Sequence, residues 1–220
     1  RGSTVNTNNY LHDSANKSSS SQLNASTSVF VKQGNGDFFA FRMTGTYPNR
    51  VDAIFQFSNT TLTTSEGGSN FTTIRSKVEN YGNGWFRLSV SYNTDAASSI
   101  TSTFSPRGSS GVIDATDTST DAFVYLWGCQ VEEAVGASSY IKTENLQTSR
   151  NFDDCVNTST FTLGADATFY FDFEVDTYTA NGERLFSAVN AGTTKFLRLQ
   201  TYNSGANYFS YITASSNNGS

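Results

Sequence analysis

Histidine, methionine, proline and cysteine are nearly absent from this 220-residue chain: there is one His, one Met, two Pro and two Cys. A single histidine, His12, in a polar stretch leaves no Ser-His-Asp, Cys-His or multi-histidine zinc constellation to be assembled within one chain, so the commonest hydrolase and metalloenzyme designs are excluded. Two cysteines, Cys129 and Cys155, are too few for a disulfide scaffold. Two free thiols are expected, with a bridge between them as the alternative, and Cys129 is expected as a small buried residue on the strand face of Trp127. Charged residues make up only 15% and the net charge is −5, so non-specific nucleic-acid binding through the whole surface is not expected. No apolar stretch approaches the roughly 18 residues that a membrane helix needs, and membrane insertion is not expected. The opening Arg1-Gly-Ser carries no initiator Met, apolar signal core or positively charged leader, and the visible start is expected to be internal or processed.

What the chain has is Ser, Thr, Asn and Gly in abundance, with 18 Phe and 11 Tyr, a profile suited to strands and polar turns. Strand-like runs recur at Thr27 to Val31, Asp37 to Met43, Val51 to Phe57, Phe71 to Val78, Trp85 to Tyr92, Ile100 to Phe104 and Ala122 to Val131. Such even spacing of antiparallel hairpins predicts an all-β, antiparallel jelly-roll β-sandwich. The chain divides into an extended arm over residues 1–20, a sandwich over 21–155 and the opening strands of a second β-sandwich over 156–220. The second set is expected at Ser159 to Thr162, Thr168 to Val175, Arg184 to Ala188, Lys195 to Leu199 and Tyr208 to Ile212. About 60 residues cannot complete such a domain, so the polypeptide is expected to continue past Ser220; a compact five-stranded appendage is the alternative.

One segment is more specific. Phe123, Tyr125, Trp127, Cys129 and Val131 alternate along one strand face, while Val124 and Leu126 make the other face apolar until Gly128 and Gln130. The run Trp127-Gly-Cys-Gln-Val-Glu-Glu133, followed by Ser139-Tyr-Ile-Lys-Thr143, resembles the closing motif of a jelly-roll module of bacteriophage tail-fibre and head-fibre proteins, with Ala134 and Lys142 departing from the family's Gly and Pro. Upstream, Ser28 to Lys32, Ala53 to Ser58 and the Tyr81-Gly-Asn-Gly-Trp-Phe-Arg87 hairpin are similar to that module's earlier strands, and Thr148-Ser-Arg150 with Asp153-Asp154 to its tail, so the likeness covers about residues 20–155. The later strands resemble the start of a concanavalin-like or laminin G-like lectin fold. The resemblance implies a virion location, other virion proteins as partners, a host-surface glycan as a ligand and a homotrimeric assembly.

Carboxylates offer little chemistry. Glu132 and Glu133 are adjacent on a strand, point to opposite faces and would not flank one glycosidic bond, so surface carboxylates are the reading preferred to a catalytic pair. Asp114, Asp117 and Asp121, in the loop from Ser105 to Ala122, could supply oxygens to calcium, as could Asp153 with Asp154. Polar turn residues are the competing reading.

A binding face is the more productive expectation. If Val29, Val31, Phe39, Phe41, Met43, Ala53, Phe55, Phe57, Phe86, Leu88 and Val90 point inward, alternation sends Lys32, Arg42, Gln56, Trp85 and Arg87 outward, with Ser89. Three cations, an amide and an indole on one face suit an anionic glycan, the forks bonding hydroxyls or carboxylates and the indole stacking on C–H faces. Against this stands a structural role for Trp85 and Arg87 within their hairpin. Tyr47, Tyr92, Tyr202 and Tyr208 are further contact candidates. Three functions follow: a non-enzymatic virion structural and adhesive protein, a carbohydrate-binding module of a secreted bacterial enzyme or adhesin, and a depolymerase whose acid pair would lie outside these residues.

Overall fold

The computed structural model describes residues 10–107, 113, 121–143 and 148, together with the strand backbones of 184–189, 196–204 and 207–215. The chain divides into two compact units, 1–156 and 157–220. Nine strands are described in the first: β1 (Leu11–Asn16), β2 (Asn24–Gln33), β3 (Phe38–Thr44), β4 (Arg50–Gln56), β5 (Thr61–Gly67), β6 (Thr72–Gly82), β7 (Trp85–Asn93), β8 (Ser99–Arg107) and β9 (Val124–Glu132). They form two antiparallel sheets, β1-β8-β3-β4-β5 and β6-β7-β2-β9. The architecture is an all-β sandwich. Local hairpins supply β3–β4, β4–β5 and β6–β7, whereas the nested long-range pairs β3–β8 and β2–β9 tie early chain to late chain.

The inner faces follow the period-2 pattern closely. Val29 and Val31 from β2, Phe39, Phe41 and Met43 from β3, Val51, Ala53 and Phe55 from β4, Leu88 and Val90 from β7 and Ile100 and Phe104 from β8 form one continuous core. Each fully buried Phe here contributes roughly 2–3 kcal/mol of apolar burial. Phe55 and the partly buried Phe86 meet across the sheets with ring centroids 5.3 Å apart. Tyr92, one of the expected contact residues, is instead buried in this core, its hydroxyl 2.8 Å from Thr27 Oγ1, and burial raises its phenol pKa.

Two strands carry no apolar alternation and escape the sequence pattern. β5 has one large apolar residue, Leu62, and β1, within the stretch expected to be an arm, has only Leu11 and Ala15. Both are the edges of the five-stranded sheet, where one row of backbone bonds holds the strand and little side-chain burial is required.

The closing strand differs from its expected reading. Register places Trp127 opposite Phe30 and Leu126 opposite Val31, but Gln130 opposite Ser28 and Val131 opposite Thr27, so Gly128 and Cys129 together oppose Val29. Gly128 sits at φ 59° in this β-bulge, a conformation that favours glycine. The extra residue switches faces. Tyr125 and Trp127 therefore lie on the outer face and Val124 on the core face, and Val131 returns to the core. Cys129 carries a free thiol and is exposed at this sheet edge rather than buried. Cys155 lies outside the described residues.

In the second unit, β10 (Arg184–Val189), β11 (Phe196–Ser204) and β12 (Asn207–Ser215) form an antiparallel sheet in that order. Three of the five expected runs fall in these strands; those at 159–162 and 168–175 lie outside the described residues.

Candidate ligand face

The five outward residues expected to share a face are divided between two. Lys32 and Trp85 are directly paired on β2 and β7, and Arg87 is paired with Phe30 in the same sheet. Arg42 and Gln56 lie on β3 and β4 of the other sheet, so the sandwich core separates the two groups.

Arg42 and Gln56 serve the fold. Arg42 Nε donates to Asp52 Oδ1 in a buried ion pair that Arg50 Nε joins at 3.0 Å on Oδ2. Gln56 Nε2 donates to Asp37 Oδ2 (2.9 Å) and Ser58 Oγ (3.0 Å) and its Oε1 accepts from Asn59 Nδ2 (2.9 Å), binding the β4–β5 turn to the start of β3. The Ser58 N–H donates to Asp37 Oδ1 at 2.9 Å. These bonds, the one from Gln56 foremost, hold the Asp37 carboxyl below its ordinary 3.8. A depressed folded-state pKa means that the stabilisation is complete above 3.8 and is lost as pH falls from there through the lower folded value. Thermal transitions measured in acid should accordingly fall more steeply for the parent chain than for Asp37→Asn, which has no carboxylate to protonate. Equal acid dependence would remove Asp37 from the account.

Arg87 is buried, at 5% exposure, beneath the chain that follows β9. One terminal nitrogen donates to Ser28 Oγ (3.0 Å) and to the Ser138 carbonyl, and the guanidinium lies over the Phe30 ring at 5.5 Å. The return segment, residues 133–143, is pinned across this outer face by the motif itself. Gln130 Oε1 accepts from the Ile141 N–H (2.7 Å), Glu132 accepts from the Ser138 N–H (3.0 Å) and hydroxyl, and Trp127 packs on Tyr140 at 4.7 Å. Glu133 accepts from the backbone and hydroxyl of Ser18. Each polar residue of the Trp-x-x-Gln-x-Glu-Glu run thus has a structural partner.

What remains accessible is the other end of the same face. The Asn83-Gly84 loop, both residues at positive φ, makes the tight turn that places Trp85 at the start of β7. Register then aligns Tyr125, Lys32 and Trp85 in a row across β9, β2 and β7. The next row is Trp127, Phe30 and Arg87, and Tyr81 closes edge-on against Phe30 at 5.0 Å. Tyr81, Tyr125 and Trp127 are 56%, 53% and 54% exposed, and Lys32 and Trp85 are half-buried. Several exposed rings beside one ammonium form a firm platform, because Phe30 and the strand ladder beneath hold the rings in place. Only Lys32 and Trp85 of this set were expected. Alternation groups Tyr125 and Trp127 with Cys129 and Val131 on one strand face and does not show the bulge that separates them, and Tyr81 is the extra residue at the register shift between Asn80 and Gly82.

Among the described residues no group of three or more His, Cys, Asp or Glu is arranged to hold a metal ion. Asp121 is exposed and its carbonyl accepts from Asn35 Nδ2 at 3.0 Å; Asp114 and Asp117, and the Asp153-Asp154 pair, lie outside the described residues. His12, on β1, is exposed and tilted against Tyr10. Tyr47 is exposed beneath the Arg50 guanidinium, and the side chains of Tyr202 and Tyr208 lie outside the described residues.

Fold and face together define an antiparallel β-sandwich module with an aromatic, singly basic outer platform. No protein-family model matches the chain, and no curated protein matches it. The likeness to fibre modules rests on the motif residues themselves.

Proposed function

We propose that this chain is a non-enzymatic structural and adhesive module of a phage particle, a jelly-roll unit of a fibre or decoration protein that contacts host-surface glycans. The observation that carries the reading is the platform of Tyr125, Lys32, Trp85, Trp127 and Tyr81. Rings open to solvent offer flat faces to sugar C–H groups, and the Lys32 ammonium favours a glycan bearing carboxylates. Support for the virion setting comes from the resemblance of the closing motif, of which Trp127, Gln130 and Glu132 pin the return segment. The glycan site is narrower than a whole sheet face, and Arg42, Gln56 and Arg87 are not part of it.

Binding of the full chain to an array of bacterial surface polysaccharides tests this. The parent should bind acidic glycans in a salt-sensitive way, and Trp85→Ala and Tyr125→Ala should each weaken binding by roughly tenfold or more, about 1.4 kcal/mol, with little change in Tm. Undiminished binding by both variants would overturn the reading.

A further inference from the structure

At the opposite end of the four-stranded sheet lies a concavity of about 380 Å³. Its walls come from the β1–β2 connection (Gln22, Leu23), the first residue of β2 (Asn24), the β5–β6 loop (Ser69, Asn70), the first residue of β6 (Thr72) and the last of β7 (Asn93). No charged side chain lines it. Four carboxamides and two hydroxyls do, and each of these groups both donates and accepts hydrogen bonds. An anion would use only the donors of this set and a metal cation only its acceptors. A neutral polyhydroxylated molecule, whose hydroxyls also donate and accept, matches this mixed set, and the half-buried Leu23 adds an apolar contact for C–H groups.

The site is built on strand ends. Asn24 and Thr72 are both paired with Asn93, so three adjacent strands present their terminal residues in one row, and Asn93 Nδ2 donates to Thr72 Oγ1 at 3.0 Å. Leu23 is fixed behind them by a backbone bond from Thr94 N–H to its carbonyl (2.8 Å) and by its own N–H to Thr94 Oγ1 (3.2 Å). Lys17 Nζ donates to the Ser21 carbonyl (2.8 Å) and holds the connection that carries Gln22. Rows held in this way lose little freedom on binding.

We propose that this amide-lined cleft is a second binding site, for a neutral saccharide unit, separate from the aromatic platform. Asn24 and Lys32 mark the two sites on one strand, and eight residues of extended chain put them about 26 Å apart. A single monosaccharide cannot span them, so the two sites engage different sugars or distant units of one chain.

Calorimetric titration of the full chain with methyl glycosides of glucose, galactose, mannose and N-acetylglucosamine tests the assignment. At least one should bind saturably, with Asn93→Ala and Asn70→Ala each weakening it by about tenfold and Trp85→Ala and Tyr125→Ala leaving it unchanged. If Asn93→Ala lowers Tm, the loop variant Asn70→Ala carries the comparison. Absence of saturable binding to all four, affinity unchanged in the asparagine variants, or affinity lost only in the platform variants would each overturn the proposal. The last result would do so while leaving the platform reading standing.

Discussion

Asp52→Ala should cost the sandwich about 3–5 kcal/mol, the largest effect expected of any polar substitution in it. Asp52 is buried and bridges two guanidinium groups, Arg42 Nε on Oδ1 and Arg50 Nε on Oδ2. Removing the carboxylate takes the Asp52 counter-charge away from the buried Arg42, and the desolvation that this pair offset is then less compensated. Arg42→Met combined with Asp52→Leu should recover much of the loss, because an apolar pair of similar volume carries no such penalty. Denaturant unfolding of the three proteins checks this. A loss below about 1 kcal/mol in Asp52→Ala would mean that the pair behaves as an exposed one and that Arg42 is open to ligand after all.

Arg87→Ala is expected to be the second most damaging, at about 2–4 kcal/mol, since it removes two charge-assisted hydrogen bonds and the stacked cover of Phe30. Its bond to the Ser138 carbonyl also pins the return segment, so the variant should free residues 133–143 and speed amide exchange at Ile141, whose N–H is held by Gln130. Arg87→Lys should restore little, because an ammonium cannot lie flat over Phe30 while reaching both oxygens. If Arg87 faced solvent as a glycan contact, as one of the two sequence readings has it, Arg87→Ala would abolish binding with the thermal transition little changed, whereas a large loss of stability assigns Arg87 to the fold. The return segment makes that premise untrue for Arg87. Unchanged stability with lost binding would reinstate it.

How far the sequence reveals this molecule depends on what each residue's position is decided by. Val29, Val31, Phe39, Phe41, Met43, Phe55, Leu88 and Val90 are legible as core because period-2 alternation and burial coincide in these strands. β1 and β5 are not, since edge strands are held by backbone pairing and show no pattern. Alternation fails at Gly128, where one inserted residue reverses the faces of everything before it relative to everything after; only the isolated glycine within the strand signals it. The candidate site was half visible for a related reason. Strand direction separates inside from outside, but which sheet a strand joins is set by long-range pairing, so Arg42 and Gln56 could not be told apart from Lys32 and Trp85. The roles of Gln130 and Glu132 became clear only with the path of the chain after β9.

Tryptophan emission gives the most direct test, because both tryptophans of the chain, Trp85 and Trp127, stand on the proposed platform. Acrylamide quenching should be measured for the full chain alone and saturated with the acidic polysaccharide that it binds best. The account predicts that the glycan shields the indoles and reduces quenching, and that Tyr125→Ala diminishes the shielding. Quenching unchanged by a glycan that is demonstrably bound would place binding elsewhere and contradict it.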